Sequence, residues 1–500
     1  MDELNNINPT SDHKVIPFPV HTSNLLVEKY KKSAKSIEDL NAKFSGPLSG
    51  AMWKKIQSLN SSYPDTFDWS VYDKLHERFG ANQPRGGVVF KTSLKLLNYH
   101  TSCSKCHYSL EVDTYGRGCV HNCKFCYAKD QLMLKGYWNR PFPMPMDLSE
   151  IRKIFYTVFE SDKKSKWRTV LENKTPIRIG SMSDSFMWLD QKQRVTHEFL
   201  KILKYYRYPN VIFTRSDLVA HEDYLEVMDP DLSAIQFSIS GDNEALTKAI
   251  EPGAPSVARR LEALARLKKA GFWTTVRINP LFPTYPDGYF TDKASIKERF
   301  SGNIPKLSLL DIDSPDAFLD ALKDAGVPTV LAGFVRLNQT STSQMGKAAD
   351  VDLKKFFKPE HYKPQGESHY SDSEIAYYYK ILQSKCAQRG LRFSTCYIGN
   401  GVKDYHQYQK LWSNKSDCCD AKGNVKGITE TAQNIPWEER MKHAPLAMRN
   451  NIVRQQEESY EKKMLTEAKN PGLVTYINEI KGNYRSLAWL KKQNIESSPE

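Results

Sequence analysis

The chain has no run of 18 apolar residues, so no segment is long enough to span a bilayer. It opens Met1-Asp2-Glu3-Leu4-Asn5-Asn6, with no basic region leading into an apolar one, so no secretory leader is expected. It has no internal repeat, which sets aside solenoids and propellers. Cysteine is scarce, at 9 of 500 residues, and too clustered to be a disulfide framework. Clustered thiols in a leaderless chain predict metal ligands in a reducing cytoplasm, the host's if the chain is viral.

Hydrophobic residues make up 40% of the chain and aromatics 11%, enough for a sizeable core. The length fits two to four domains, or one large barrel with additions. The formal net charge is +13. A basic surface favours polyanions, nucleic acid first. The lysines are spread along the chain, with local clusters at 163–168 and 481–492.

From residue 108 the pattern alternates strand and helix. Strands are predicted at 110–115, 177–179, 211–214, 234–240, 274–278 and 330–334, with a strand-like segment at 391–396. Helices are predicted at 148–159, 194–206, 315–325 and 373–389. Val257, Leu261, Leu264 and Leu267 recur at helical spacing, and that segment stops at Gly271. Strands alternating with helices imply parallel βαβ units. The expected organisation is an N-terminal extension over 1–90, an α/β core over 91–340 and a cysteine-bearing C-terminal region over 341–500. Residues 284–313 read as an insertion. Residues 340–373 read as polar and loop-rich.

The most informative segment is Cys119-Val120-His121-Asn122-Cys123-Lys124-Phe125-Cys126. Thiolates spaced C-x₃-C-x₂-C on one loop can hold three irons of a cubane cluster. A full set would be four, so one iron stays open to a small molecule. With cysteine this scarce, the chance of three falling at set offsets is roughly 0.003. A zinc knuckle normally pairs two C-x₂-C units and fits less well.

This spacing resembles the signature of the radical S-adenosylmethionine (SAM) superfamily. Gly118-Cys119, Cys126-Tyr127-Ala128, Gly180-Ser181-Met182-Ser183-Asp184 and Thr214-Arg215-Ser216 resemble its spore photoproduct lyase-like branch. So do Ser238-Ile239-Ser240 and Glu251-Pro252-Gly253-Ala254-Pro255-Ser256 with Arg259-Arg260. The likeness covers about residues 108–283. It implies a partial (β/α)₆ barrel, with function gathered in loops after the strands' C-terminal ends. It implies a [4Fe–4S] cluster on Cys119, Cys123 and Cys126 that binds SAM and yields a 5′-deoxyadenosyl radical. Carried over, SAM would meet Ser181 or Ser183, Arg215, and Ser238 or Ser240, with Tyr127 near the adenine. Arg215 could pair with the SAM carboxylate. Asp184 would meet substrate or cap a helix. Glu251 with Arg259 reads as a buried ion pair.

A second group comprises Cys103, Cys106, Cys418 and Cys419, with Cys396 and Cys386 as spares. These are candidates for a second iron–sulfur cluster or a zinc site. His107 and His121 read as ordinary polar residues. The branch's lyases draw hydrogen from a cysteine downstream of the cluster loop. No cysteine lies between Cys126 and Cys386 here, which argues against that repair reaction.

The resemblance and the charge point to modification or isomerisation of a nucleic-acid base. A thymidine-derived base in DNA comes first, as in rearrangement of an amino-acid-substituted thymidine during phage DNA hypermodification. The expected partners are DNA and an electron donor such as flavodoxin or ferredoxin, with no membrane. A peptide-modifying radical enzyme with an auxiliary cluster is the second reading. A non-catalytic iron–sulfur or zinc protein that binds nucleic acid is the third.

Overall fold

The computed structural model describes residues 94–96, 106–116, 118–134, 143–146, 148–281, 316–357, 361–363, 367–396, 405–414 and 416–435, with 439 and 443. Cys103, the 284–313 insertion and the basic 481–492 segment lie outside the described residues, as does the whole of the 1–90 N-terminal extension.

Ten strands run in chain order: β1 Lys95–Leu96, β2 Leu110–Val112, β3 Tyr115–Gly116, β4 Met144–Pro145, β5 Ile177–Ile179, β6 Asn210–Thr214, β7 Ser233–Ser238, β8 Trp273–Leu281, β9 Thr329–Phe334 and β10 Arg392–Thr395. Eight form one sheet in the order β1-β2-β5-β6-β7-β8-β9-β10. Every pair from β2 to β10 is parallel, and β1 joins the β2 edge antiparallel. The result is an open α/β barrel of seven parallel strands. The seventh is β10, in the segment the sequence assigned to the C-terminal region.

The sheet has two buried faces. Leu110, Val112, Ile177, Ile179, Ile212, Ile235, Phe237, Val276, Ile278, Val330 and Ala332 share the main core with Phe155, Phe199, Leu264 and Leu267 of the helices. The alternating positions Val211, Ala234 and Leu331 point the other way. They pack against Tyr108, Trp412, Cys418, Cys419, Ala421, Val425 and Ile428. A segment of the C-terminal region therefore fills the inner face. Burial on both sides explains why β9 is uninterrupted Thr-Val-Leu-Ala-Gly-Phe, buried throughout.

The helix at Val257–Lys269 buries Val257, Arg260, Ala263, Leu264 and Leu267. Ser256 caps it by accepting from Arg259 N–H at 3.3 Å. Gly271, at φ +84°, lets the chain turn into β8.

Two expectations are corrected. The predicted 110–115 strand divides: β2 joins the main sheet, while Tyr115–Gly116 pairs antiparallel with Met144–Pro145. Within the segment read as loop-rich lies a helix, Gln339–Ala349, started by a capping box between Asn338 and Ser341. Its inward face is largely polar, carrying Ser341, Thr342, Met345 and Gly346, so hydrophobic periodicity did not mark it. Among the described residues no helix is long and apolar enough to cross a membrane.

Candidate functional site

The strands' C-terminal ends carry the site. The three-cysteine loop follows β3 and runs into a helix at Tyr127–Leu134. Two local backbone bonds, each joining residues three apart in a turn, shape it: Asn122 N–H to Cys119 O at 3.3 Å and Cys126 N–H to Cys123 O at 3.4 Å. Asn122 sits at φ +47°, where asparagine is tolerated.

The loop is pinned from two sides. On one, Lys124 N–H donates to Ile250 O at 2.8 Å and Gly253 N–H to His121 O at 3.0 Å. A Cβ at Gly253 would stand 2.0 Å from Val120 O, so only glycine lets the two backbones meet. On the other, His121 Nε2 lies 3.2 Å from Asp184 Oδ2, and its Nδ1 lies 2.9 Å from Gly253 O. Asp184 also accepts from Thr214 Oγ1 at 2.8 Å, Arg215 N–H at 2.8 Å and Phe186 N–H at 2.9 Å. Burial alone would raise this carboxyl, but His121 and these bonds hold it below its usual value. Asp184 thus ties the cysteine loop to β6.

Arg215 stands beside Cys123, its guanidinium 5.3 Å over the Phe125 ring. It pairs with Glu251, which also takes Arg260 at 2.6 Å. Glu251 and Arg260 side chains are both 0% exposed. Arg260 spends its other donors on Pro255 O at 2.9 Å and Ser238 O at 3.1 Å. The expected Glu251–Arg259 pair is therefore corrected: Glu251 binds Arg215 and Arg260, while Arg259 pairs with Asp217.

The remaining predicted residues have distinct surroundings. Tyr127 is 55% exposed and its hydroxyl donates to Ser181 O at 3.0 Å, joining the cysteine loop to the β5 end. Ser181 N–H and Met182 N–H both donate to Asp113 at 2.9 Å, and Ser181 Oγ lies 3.4 Å from that carboxylate. Ser183 Oγ donates to Tyr115 O at 2.7 Å and holds the chain together. Ser238 ends β7 half-buried. Ser240 is buried with its hydroxyl unpartnered. Asp113 was missed as a site builder, His121 was read as an ordinary polar residue, and Arg260 was named only within the Arg259-Arg260 motif.

The donor set fits an iron–sulfur cluster. Three thiols outside any disulfide sit on one loop. Burial pushes the Cys123 thiol up to about 12, with Arg215 opposing, and burial also raises Cys119 and Cys126. Metal binding must displace their protons. The orphaned Ser240 hydroxyl suits a polar ligand beside β7.

The second cysteine group also gathers in part, on the inner face of the sheet. Cys418 Sγ is 3.9 Å from Cys419 Sγ and 3.9 Å from His107 Nδ1. Cys106 Sγ is 3.5 Å from Arg178 Nη1, and Cys396 Sγ is 3.5 Å from Arg277 Nη2. Cys386 does not join them; it is buried among the helices. Among the described residues no three His, Cys, Asp or Glu side chains form the sphere of a single metal ion.

Comparison with known proteins gives the class. Residues 114–294 match the family model of the radical SAM superfamily, so the chain carries a radical SAM domain. An uncharacterized protein of Methanocaldococcus jannaschii is 28% identical over 186 residues, 34% of this chain. The match spans 60% of that relative's length. Among solved structures, spore photoproduct lyase complexed with dinucleoside spore photoproduct is similar at 16% identity and TM-score 0.39, over 60% of this chain and 80% of that one. Streptococcus suis SuiB bound to S-adenosylmethionine is similar at 9% identity and TM-score 0.31, over 60% and 53%.

Proposed function

We propose that the chain is a radical SAM enzyme of the spore photoproduct lyase-like branch that modifies or isomerises a nucleic-acid base, a thymidine-derived base in DNA first. The observation that carries the enzymatic reading is the cysteine loop. Its three thiols are held on a backbone pinned by Asp184 on one side and by residues 250–253 on the other. Cys119, Cys123 and Cys126 would hold the cluster. Ser181 or Ser183, Arg215, and Ser238 or Ser240 would bind SAM, with Tyr127 near the adenine. When bound, the cluster and SAM together supply a 5′-deoxyadenosyl radical able to take hydrogen from an unactivated C–H bond.

The chain's own residues position and shield. Glu251 and Arg260 fix Arg215 beside Cys123, so its charge is placed before a carboxylate arrives. Tyr127 ties the cysteine loop to the β5 end. The net charge of +13 supports a polyanionic substrate. A base in a duplex would meet the radical only by leaving its stack. The electron donor would be a flavodoxin or ferredoxin.

The test is anaerobic reconstitution with iron and sulfide, then SAM and a reductant. 5′-Deoxyadenosine should form, and DNA containing a modified thymidine should raise its rate. Rate enhancement by peptides but not by DNA would move the substrate to the peptide class. DNA binding with no SAM cleavage would leave a non-catalytic binder.

A further inference from the structure

Cys106, Cys396, Cys418 and Cys419 come from three distant segments and meet on the inner face of the sheet. Cys106 precedes β2, and Cys396 directly follows β10. Cys418 and Cys419 lie in the segment packed onto Val211, Ala234 and Leu331. Backbone carbonyls fix that segment: Ser394 Oγ donates to Cys418 O at 2.6 Å and Thr275 Oγ1 to Cys419 O at 2.9 Å.

Arg178 and Arg277, which reach Cys106 and Cys396, both stand over the Phe213 ring, at 5.5 and 4.9 Å, so the two thiols share one face. Cys418 and Cys419 sulfurs lie 3.9 Å apart on the same face. None of the four is in a disulfide.

Two arginines reach these thiols, and among the described residues one of them has no carboxylate partner. Arg178 reaches Cys106 and is paired with Glu111. Arg277 reaches Cys396 but pairs with no carboxylate among the described residues. Its other contacts are Gln236 Oε1 at 3.4 Å and the Phe213 ring at 4.9 Å. Its Nε is buried without a hydrogen-bond partner, as is Nε2 of Gln236, a residue 1% exposed. Arg277 is half-buried, and a partly desolvated guanidinium favours a nearby counter-charge. Neutral thiols supply none. Thiolates on a metal supply it where Arg277 points.

We propose that Cys106, Cys396, Cys418 and Cys419 ligate a second, thiolate-bound metal centre, with Arg277 as its counter-charge. Four sulfurs complete the ligand set of a cubane cluster or of tetrahedral zinc. The four are not gathered at the spacing of one ion. A cluster takes each thiolate on a different iron, so iron is the expected metal. Each thiol gives up its proton on binding. The site is separate from the Cys119 loop and stands independently of the substrate reading.

The experiment counts metal in a Cys119→Ala/Cys123→Ala/Cys126→Ala protein, purified anaerobically and reconstituted with iron and sulfide, or in a separate arm with zinc. About four irons per chain, lost on adding Cys396→Ser and Cys419→Ser, would establish a cluster. About one zinc, lost with the same two changes, would establish the same four-thiolate centre with zinc in it. If the triple variant does not fold, the otherwise native chain serves: about eight irons should fall to about four on Cys396→Ser/Cys419→Ser. No metal above background, or metal that survives both serine changes, overturns the proposal.

Discussion

Arg215 shows what one side chain reveals only when its neighbours are known. Its place after β6 reads as a ligand contact in the sequence. In the structure it is also one half of a buried network with Glu251 and Arg260. Breaking such a network leaves a buried carboxylate undercompensated, at a cost of about 3–5 kcal/mol. Arg215→Ala should therefore lower the melting temperature markedly and also weaken SAM binding by roughly 10- to 150-fold. Calorimetry with isothermal titration separates the two; unchanged stability would show that Arg260 alone satisfies Glu251. The confusion of Arg259 with Arg260 has a simple cause. Adjacent helical residues point about 100° apart, and the sequence could not say which one faced inward. The cysteine triad was legible because its information is local: three thiols, fixed offsets, one loop. Cys123→Ala should abolish 5′-deoxyadenosine formation and remove about four irons, while circular dichroism stays native. Full turnover by that variant would end the radical reading.

Elements were legible where apolar residues repeat and obscure where polar bonds do the work. Ile177–Ile179 was placed to the residue, and the helices at 149–159, 195–205, 316–324 and 372–388 to within one. Each carries an apolar face or run that only one period fits. The helix at Gln339–Ala349 was missed because its start is set by Asn338 and Ser341 rather than by apolar spacing. The seventh sheet strand was noticed as a strand but not as a member of the barrel, since nothing local records that Arg392–Thr395 pairs with Thr329–Ala332. The contact between the cysteine loop and residues 250–253 was equally invisible, yet it fixes a glycine. Gly253→Ala would drive a methyl into the Val120 carbonyl, backbone against backbone. The two loops should separate, with lower iron occupancy and a lower melting temperature, read by iron assay and thermal denaturation. Native iron content in the Gly253→Ala protein would mean that the loops shift apart without disturbing the thiols.

At the scale of the whole molecule, the C-terminal segment acts as an inner plug. Trp412 buries its ring against the sheet's inner face, and its Nε1–H donates to Thr395 Oγ1 at 2.7 Å. Asp420 takes Thr329 and Arg392, and Asn414 at 2.6 Å. This docking stands on apolar burial and hydrogen bonds, so it does not depend on metal. Trp412→Ala should cost about 3–5 kcal/mol, measured by urea denaturation. A near-neutral result would show that the plug is not part of the cooperative fold. The charge belongs to this scale too. An excess of 13 positive charges spread over the chain makes an electrostatic footprint rather than a base-reading device. If DNA is the substrate, log affinity should fall linearly with log salt, with a slope near −0.9 for each duplex phosphate neutralised and about −0.7 for single strands. A single-stranded or mismatched site should bind better than an intact duplex, because the target base then leaves its stack at lower cost. Fluorescence anisotropy across a salt series measures both. Affinity indifferent to salt would remove the polyanion from the argument and leave the substrate to be sought among peptides.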